Sequence, residues 1–234
     1  MRLCVLAASI VLYALFANGC SKGITRATAV AVLAVNGNVV FGSAEQNHFQ
    51  PVTLKSKIHD GDTVRLSEGA SVNLVFIPAV VAQLSGNSEI KIDELKITKD
   101  GNETSGGMRD RKARIRLNRG RLIVLFRQTD RSETRFMVNA GRVTINPDSD
   151  CLFSIWTDGT KTRVTCAEER IKAFRDARSP VTIAAGYFQE WPTTRTQPMA
   201  AADDANAQID ITDSLENGFR LEDEAIGSQN RRPF

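Results

Sequence analysis

A succession of short β-branched runs separated by turn dipeptides constrains this chain most, from about residue 29 to residue 191. Asn36-Gly37, Asp60-Gly61, Asp100-Gly101 and Asp158-Gly159 each place a strong turn signal beside such a run. Long amphipathic helical patterns have little support in this region, which disfavours alternating βαβ units. The pattern therefore predicts an all-β fold, either a compact sandwich or a short β-solenoid of many short strands.

The predicted strands are short and follow one another closely along the chain. They are Val30–Val35, Val39–Gly42, Thr63–Leu66, Ser71–Ile77, Val80–Leu84, Glu89–Thr98, Ala113–Leu117, Arg121–Arg127, Thr134–Val138, Arg142–Ile145, Cys151–Thr157, Thr160–Cys166, Ile171–Phe174 and Val181–Ala184. Within Glu89–Thr98 the apolar alternation changes phase across Asp93-Glu94. A change of phase predicts a bend or a β-bulge at that point.

Residues 192–234 differ in composition from the rest of the chain. They contain prolines near their start, a stretch of Ala, Asp and Asn, and few large apolar residues. We interpret them as a low-complexity, mostly disordered tail with at most one short helix around Ile209 to Leu221.

The N-terminus has the three parts of a secretory signal. Arg2 supplies a positive charge, and the apolar run from Leu3 to Phe16 is shorter than the roughly 20 residues that a spanning helix needs. Small residues then precede Cys20, and the sequence Ala17-Asn18-Gly19-Cys20 resembles the lipobox of bacterial lipoproteins. We interpret residues 1–19 as a lipoprotein signal peptide, Cys20 as the lipidation site and residues 20–28 as an anchor linker. The alternative is an ordinary signal peptide or a short signal anchor.

The lipobox resemblance implies a location. The attached acyl chains would hold the protein on a membrane without a spanning helix. Ser21 and Lys22 stand where an aspartate often retains such lipoproteins at the inner membrane. The resemblance therefore implies the outer membrane, facing the periplasm, rather than the inner membrane.

Two further cysteines, Cys151 and Cys166, flank the turn Asp158-Gly159 symmetrically. A two-residue hairpin loop about this turn places the two residues directly opposite each other. An oxidising compartment makes their pairing the expected state, so the sequence predicts a cross-strand disulfide. Two reduced, buried thiols are the alternative, because a directly opposed pair strains the bridge.

The order of several glycine turns and strands resembles the FecR-like domain of bacterial envelope proteins. The matching stretches are Asn36-Gly37-Asn38-Val39, Ile58-His59-Asp60-Gly61-Asp62-Thr63-Val64, Ala70-Ser71-Val72-Asn73-Leu74, Leu117-Asn118-Arg119-Gly120-Arg121-Leu122-Ile123-Val124 and Phe136-Met137-Val138. The family's Ala-x-Val-x-Gly-Thr-x-Phe element is degraded here to Gly141-Arg142-Val143-Thr144 and Leu152-Phe153-Ser154-Ile155. The resemblance covers residues 29–191 and implies an extracytoplasmic binding or scaffolding module.

Lys112, Arg114 and Arg116 alternate with Ala113, Ile115 and Leu117. The alternation predicts a strand with one basic face and one core face. Guanidinium groups bind phosphate and carboxylate bidentately, so this face is a possible site for an anionic partner. A solvated face whose charges discourage edge pairing is the alternative.

Other functional classes find little support. A net charge of +3 is too balanced for a nucleic-acid partner. His48 and His59 lack a third ligand for a metal, no catalytic motif is recognisable, and no cofactor is expected. Asp93, Glu94 and Asp100 are interpreted as solvated carboxylates, and Trp156 and Trp191 as core or interface residues, with sugar stacking as an alternative.

The sequence thus predicts a non-catalytic module on a lipid anchor, with the membrane and an unknown envelope protein or glycan as partners. A sensory accessory subunit is one form that this function could take. An envelope enzyme, such as a carbohydrate-active one with a cryptic site, is the alternative.

Overall fold

The structure is a computed structural model that describes residues 24–99, 108–128, 132–176 and 179–230. The described part contains strands β1 to β15, a 3₁₀ turn at Ala201–Asp203 and one α-helix, α1 (Ala205–Asn230). In chain order the strands are Ile24–Ala27, Ala31–Asn36, Val39–Ser43, His48–Pro51, Thr63–Leu66, Ser71–Ile77, Val80–Lys99, Met108–Phe126, Glu133–Ala140, Val143–Asn146, Cys151–Thr157, Thr162–Arg175, Val181–Ala184, Tyr187–Trp191 and Met199–Ala200.

All fifteen strands belong to one hydrogen-bonded sheet. Its longest path runs β15-β14-β12-β10-β9-β8-β7-β5-β3-β4, and the other strands pair with members of that path or with each other. The pair β8–β9 is parallel, whereas its neighbours in the sheet are antiparallel. The predicted all-β class is therefore confirmed.

Strands β7 and β8 form a long hairpin that the sequence had divided into four shorter strands. The two strands have 20 and 19 residues and remain paired from Val80↔Phe126 to Lys99↔Met108. Continuity is possible because the ladder shifts register, between Ser85 and Glu89 and again between Ile92 and Glu94. The second shift is the bulge that the change of apolar phase predicts.

The inner face of the sheet encloses the main hydrophobic core. One contiguous cluster of buried side chains draws on strands from β2 to β14, so a single sheet must curve around it. Phe76 and Phe136 lie at its centre with ring centroids 6.1 Å apart. Alternate residues are buried from Ala113 to Leu117 of β8, from Phe136 to Ala140 of β9 and along β10, so the residues between them face outward.

Helix α1 covers part of the outer face of the sheet. The Oδ1 atom of Asp204 accepts a hydrogen bond from the backbone N–H of Ala207 at 2.9 Å, which caps the first turn. Leu221 then completes a second apolar cluster with Val81, Ile123, Leu125 and Leu152. The helix therefore gives the outer face of the sheet a core of its own.

Three predictions about the ends of the chain are affected. Residues 199–230 of the predicted tail form β15, the 3₁₀ turn and α1, so the expectation of disorder with a short helix is wrong there. Ile24–Ala27 of the predicted linker pairs with β7 as β1. The signal peptide, Cys20 and Asp100-Gly101 lie outside the described residues. Within the described ranges, no helix combines the length and apolar character needed to cross a bilayer.

Candidate binding surfaces

The three predicted basic residues lie side by side on the outer face of β8. The side chains of Lys112, Arg114 and Arg116 are 47%, 44% and 53% exposed, whereas Ala113 and Ile115 between them are buried. Strand β7 flanks them on one side and β9 on the other. The structure thus places the basic residues as the alternation predicts.

Two carboxylates beneath this row were misjudged from sequence. The bulge after Ile92 turns Glu94 toward β8, where its residue is only 9% exposed. Its carboxylate contacts Lys96 at 2.8 Å, Lys112 at 2.9 Å and Arg114 at 3.6 Å, while Asp93 accepts from Arg116 at 3.2 Å. Asp93 and Glu94 are therefore ion-paired and largely covered, not simply solvated.

The electrostatic balance of this cluster is positive. Hydrogen bonds from Lys96 and then Lys112 lower the pKa of Glu94 to about 2, so this carboxylate stays ionised near neutral pH. We define the cationic surface as Lys96, Lys112, Arg114 and Arg116. Four cations against the two carboxylates Asp93 and Glu94 leave a net charge of +2 on it.

An ion cluster fastens α1 to the sheet. Asp210 is 4% exposed and binds two arginines from different strands, Arg163 at 2.8 Å and Arg121 at 3.1 Å. Arg121 also pairs with Asp213, and the hydroxyl of Thr165 donates to Asp210 at 3.4 Å. Sequence reasoning missed this cluster, because residues 192–234 were interpreted as a tail.

An open cleft of about 480 Å³ lies where irregular stretches of β7 and β8 meet the end of β11. Its lining residues are Ser85, Gly86, Asn87, Arg119, Gly120, Arg121, Trp156, Thr157 and Asp158. The ring of Trp156 is half-buried here, with the guanidinium carbon of Arg163 5.4 Å from the ring centroid. By contrast, Trp191 is 6% exposed and belongs to the main core.

The predicted opposition of Cys151 and Cys166 is wrong. A bulge between Leu152 and Phe153 places Cys151 opposite Glu169 and Phe153 opposite Cys166. Both cysteines are buried in the core as free thiols, and the Sγ of Cys166 donates to the backbone carbonyl of Glu168. The expected disulfide is therefore absent from this structure.

The two thiols are chemically protected. Burial is the largest cause that raises the pKa of Cys151 well above its ordinary value and that of Cys166 to about 12. A raised pKa keeps each thiol protonated near neutral pH, and the protonated form is a poor nucleophile.

We expect neither thiol to react with an aromatic disulfide reagent at pH 8 while the chain is folded. In the full chain with Cys4→Ser and Cys20→Ser, purified under reducing conditions, two thiols per chain should react only after unfolding in guanidinium. Reaction of two thiols in the folded chain would contradict their burial. The same assay on protein recovered from an oxidising compartment tests the disulfide, since a disulfide-bonded pair has no thiol that can react even when the chain is unfolded.

The histidines are surface residues on separate segments. His48 begins β4, and the backbone N–H of His59 donates to a carboxylate oxygen of Asp62 at 2.8 Å in a turn. Across the described residues, no group of three or more His, Cys, Asp or Glu side chains has the arrangement of a metal site.

Few known proteins are similar to this chain. No family model matches the chain, and no curated protein matches it. Two crystal structures, each described as "a putative anti-sigma factor from Parabacteroides distasonis ATCC 8503", align with the chain at 10% and 11% identity and a TM-score of 0.40. The matched region covers 58% of this chain and 57% of those chains.

Proposed function

We propose that this protein is a lipid-anchored module outside the cytoplasm that binds an anionic component of the cell envelope through its cationic surface. The signal-like N-terminus and Cys20 support the location, and the basic row on β8 supports the binding. The FecR-like resemblance adds the expectation of a binding or scaffolding role, with a sensory accessory subunit as one form of it.

The observation that carries the proposal is the sharing of one carboxylate by three cations. Glu94 alone faces Lys96, Lys112 and Arg114, and it lies beneath them while their side chains remain about half exposed. A surface that only blunts a strand edge needs no such carboxylate. Here Glu94 and Asp93 hold the cationic side chains in a fixed array. These side chains therefore lose less conformational entropy when a polyanion binds.

Position adds to this argument. The row lies on strands near the middle of the sheet path, with β7 and β9 on its two sides, so edge protection does not explain it. A positive array on one face attracts anionic surfaces over about one Debye length, roughly 8 Å at physiological ionic strength.

Vesicle binding tests the surface and the anchor together. The full chain with Cys20→Ser, which cannot be lipidated, should pellet with phosphatidylglycerol vesicles and remain in solution with phosphatidylcholine vesicles. Wild-type protein extracted from bacterial membranes should bind both, because its acyl chains insert into either bilayer. In the Cys20→Ser background, Lys112→Gln with Arg116→Gln should weaken anionic binding about thirtyfold, at roughly 1 kcal/mol per charge.

The matched control removes the same charge elsewhere. Lys55 and Lys57 are exposed in the loop that follows β4, and Lys55→Gln with Lys57→Gln should leave vesicle binding unchanged. Equal losses of vesicle binding in both double variants would mean that net charge alone causes binding, and would overturn the proposed surface. Failure of the wild-type protein to bind phosphatidylcholine vesicles would overturn the anchor.

A further inference from the structure

We propose that the cleft beside Trp156 binds one unit of an acidic glycan, with the sugar ring against the Trp156 side chain and its carboxylate at Arg119. This inference deepens the proposed function and rests on it, since it names the chemical class of the anionic component as a uronic-acid sugar.

The cleft exists because both strands of the long hairpin depart from regular pairing at the same level. Strand β7 shifts register between Ser85 and Glu89, and β8 passes through Gly120 at φ +93°. A Cβ atom on Gly86 would meet nothing within 4 Å, so the wall there is open. Bulges of this kind occur often beside functional sites, where they interrupt a flat sheet and leave a recess.

The aromatic wall of the cleft is held in place from two sides. Across the sheet, Trp156 is the direct partner of Arg121 on β8 and of Arg163 on β12. Asp210 of α1 binds both of these arginines, so the guanidinium groups that flank the indole are fixed. A half-buried, immobilised aromatic ring presents an apolar face to a ligand at little entropic cost, and the C–H face of a pyranose suits such a surface.

Arg119 is the cation of this cleft that has no ion-pair partner among the described residues. The guanidinium of Arg121 is paired with Asp210 and Asp213, and that of Arg116 with Asp93. Arg119 lines the cleft and is exposed, and it makes no ion pair with any residue in the described ranges. An exposed guanidinium offers two parallel donors to a carboxylate.

The acidic residue at the rim, Asp158, makes no ion pair with Arg119 in the described part of the chain. The Oδ1 atom of Asp158 accepts hydrogen bonds from the N–H groups of Thr160 and Lys161, each at 2.7 Å, and from the Thr160 hydroxyl at 2.8 Å. These bonds, that from Lys161 first, lower its pKa to about 2, so Asp158 stays negatively charged but its Oδ1 atom is occupied within its own turn. The anion-binding role in the cleft therefore falls to Arg119.

The cleft and the cationic surface both include residues of β8, so a single chain of acidic sugars can reach both. Arg119 follows Arg116 by three residues with a register shift between them, so at most about 10 Å of strand separates the two. That spacing matches roughly two sugar units. Together, the two features fit a linear acidic glycan better than an isolated small anion.

Tryptophan emission measures the binding directly. The full chain with Cys20→Ser is titrated with tetragalacturonate, with cellotetraose as the neutral probe of equal length. Because Trp191 is nearly buried, a change in emission reports on Trp156. We expect a saturable change with tetragalacturonate and an affinity at least about tenfold lower for cellotetraose, as loss of a charged hydrogen bond predicts.

Two variants locate the site. Arg119→Gln should weaken tetragalacturonate binding about tenfold or more, while Arg142→Gln, at an arginine that is 76% exposed elsewhere, should not change it. Trp156→Leu should abolish the emission change and, by calorimetry, the binding. If that variant fails to fold by circular dichroism, Arg119→Gln decides alone.

The outcomes separate this inference from the proposed function. Absence of saturable binding, or equal affinity in Arg119→Gln, overturns the cleft, and vesicle binding that still depends on Lys112 and Arg116 would then leave the cationic surface standing. Equal affinity for the neutral probe overturns the acidic class of the ligand. Binding of tetragalacturonate through Arg119 without any vesicle binding would support the cleft and count against the wider surface.

Discussion

Asp210→Ala is expected to lower the free energy of unfolding by about 3–5 kcal/mol, the usual cost of removing one partner from a buried ion pair. The variant leaves Arg121 and Arg163 facing each other under α1, with side chains that are 17% and 11% exposed. Arg121 keeps Asp213 and Arg163 keeps Glu190 at 3.8 Å, but both lose the more buried carboxylate that they share, and their two charges then repel each other. The helix should therefore loosen from the sheet, starting from its N-terminal half.

Urea unfolding followed by circular dichroism measures this loss, and hydrogen exchange locates it. Asp223→Ala is the matched control, because Asp223 is exposed on the same helix, and it should change stability by less than about 0.5 kcal/mol. Amides of α1 should lose protection in Asp210→Ala while those of the β7–β8 hairpin keep it. A loss below about 1 kcal/mol would mean that the ion cluster adds little to docking.

The helix shows why the C-terminal part of the chain escaped sequence reasoning. Its buried positions follow helical spacing, but the residues there are Ala207, Asp210, Ser214, Gly218 and Leu221. Only the last is a large apolar residue, so a search for an apolar stripe finds nothing. Gly218 is small because a Cβ atom there would lie 2.7 Å from a methyl carbon of Leu152. The helix is docked by the close approach of Gly218 to Leu152 and by the ion cluster at Asp210. Both depend on strands that are distant in sequence.

The strands were predicted far better, because alternation is local. Most predicted strands recur within a residue or two, and Lys112, Arg114 and Arg116 point outward as their neighbours require. Bulges account for the failures, since a register shift depends on the partner strand. The shift beside Phe153 separated the two cysteines by register, and no signal in the hairpin itself revealed it.

The same limit explains why the predicted strands stop at Leu117 and resume at Arg121. A glycine after polar residues between two apolar runs is typical of a tight turn, yet β8 continues through it. A glycine permits the positive φ found at residue 120, but the sequence does not indicate that Ser88 of β7 fills the space beside it. Thus the cleft could not be foreseen, although Arg119 and Trp156 were both visible.

Gly120→Ala is expected to destabilise the protein by about 2–5 kcal/mol, through two costs that add. The left-handed backbone at φ +93° costs a residue with a Cβ atom about 1–2 kcal/mol. That Cβ would also lie 2.0 Å from the Oγ and 2.5 Å from the Cα of Ser88, so the two strands must move apart, at about 1–3 kcal/mol for overpacking. Movement would strain the hydrogen bond that the Ser88 hydroxyl accepts from the N–H of Arg121 at 2.9 Å.

Gly69→Ala isolates the first cost from the second. Gly69 also has a positive φ, +71°, but a Cβ atom there meets nothing within 4 Å. Gly69→Ala should therefore lower the free energy of unfolding by only about 1–2 kcal/mol, the backbone penalty alone. Urea unfolding of both variants gives the difference, which measures how tightly β7 and β8 approach at the floor of the cleft. Equal losses would mean that Ser88 can move aside. In that case the cleft floor is pliable, and Gly120→Ala should also leave the emission of Trp156 unchanged.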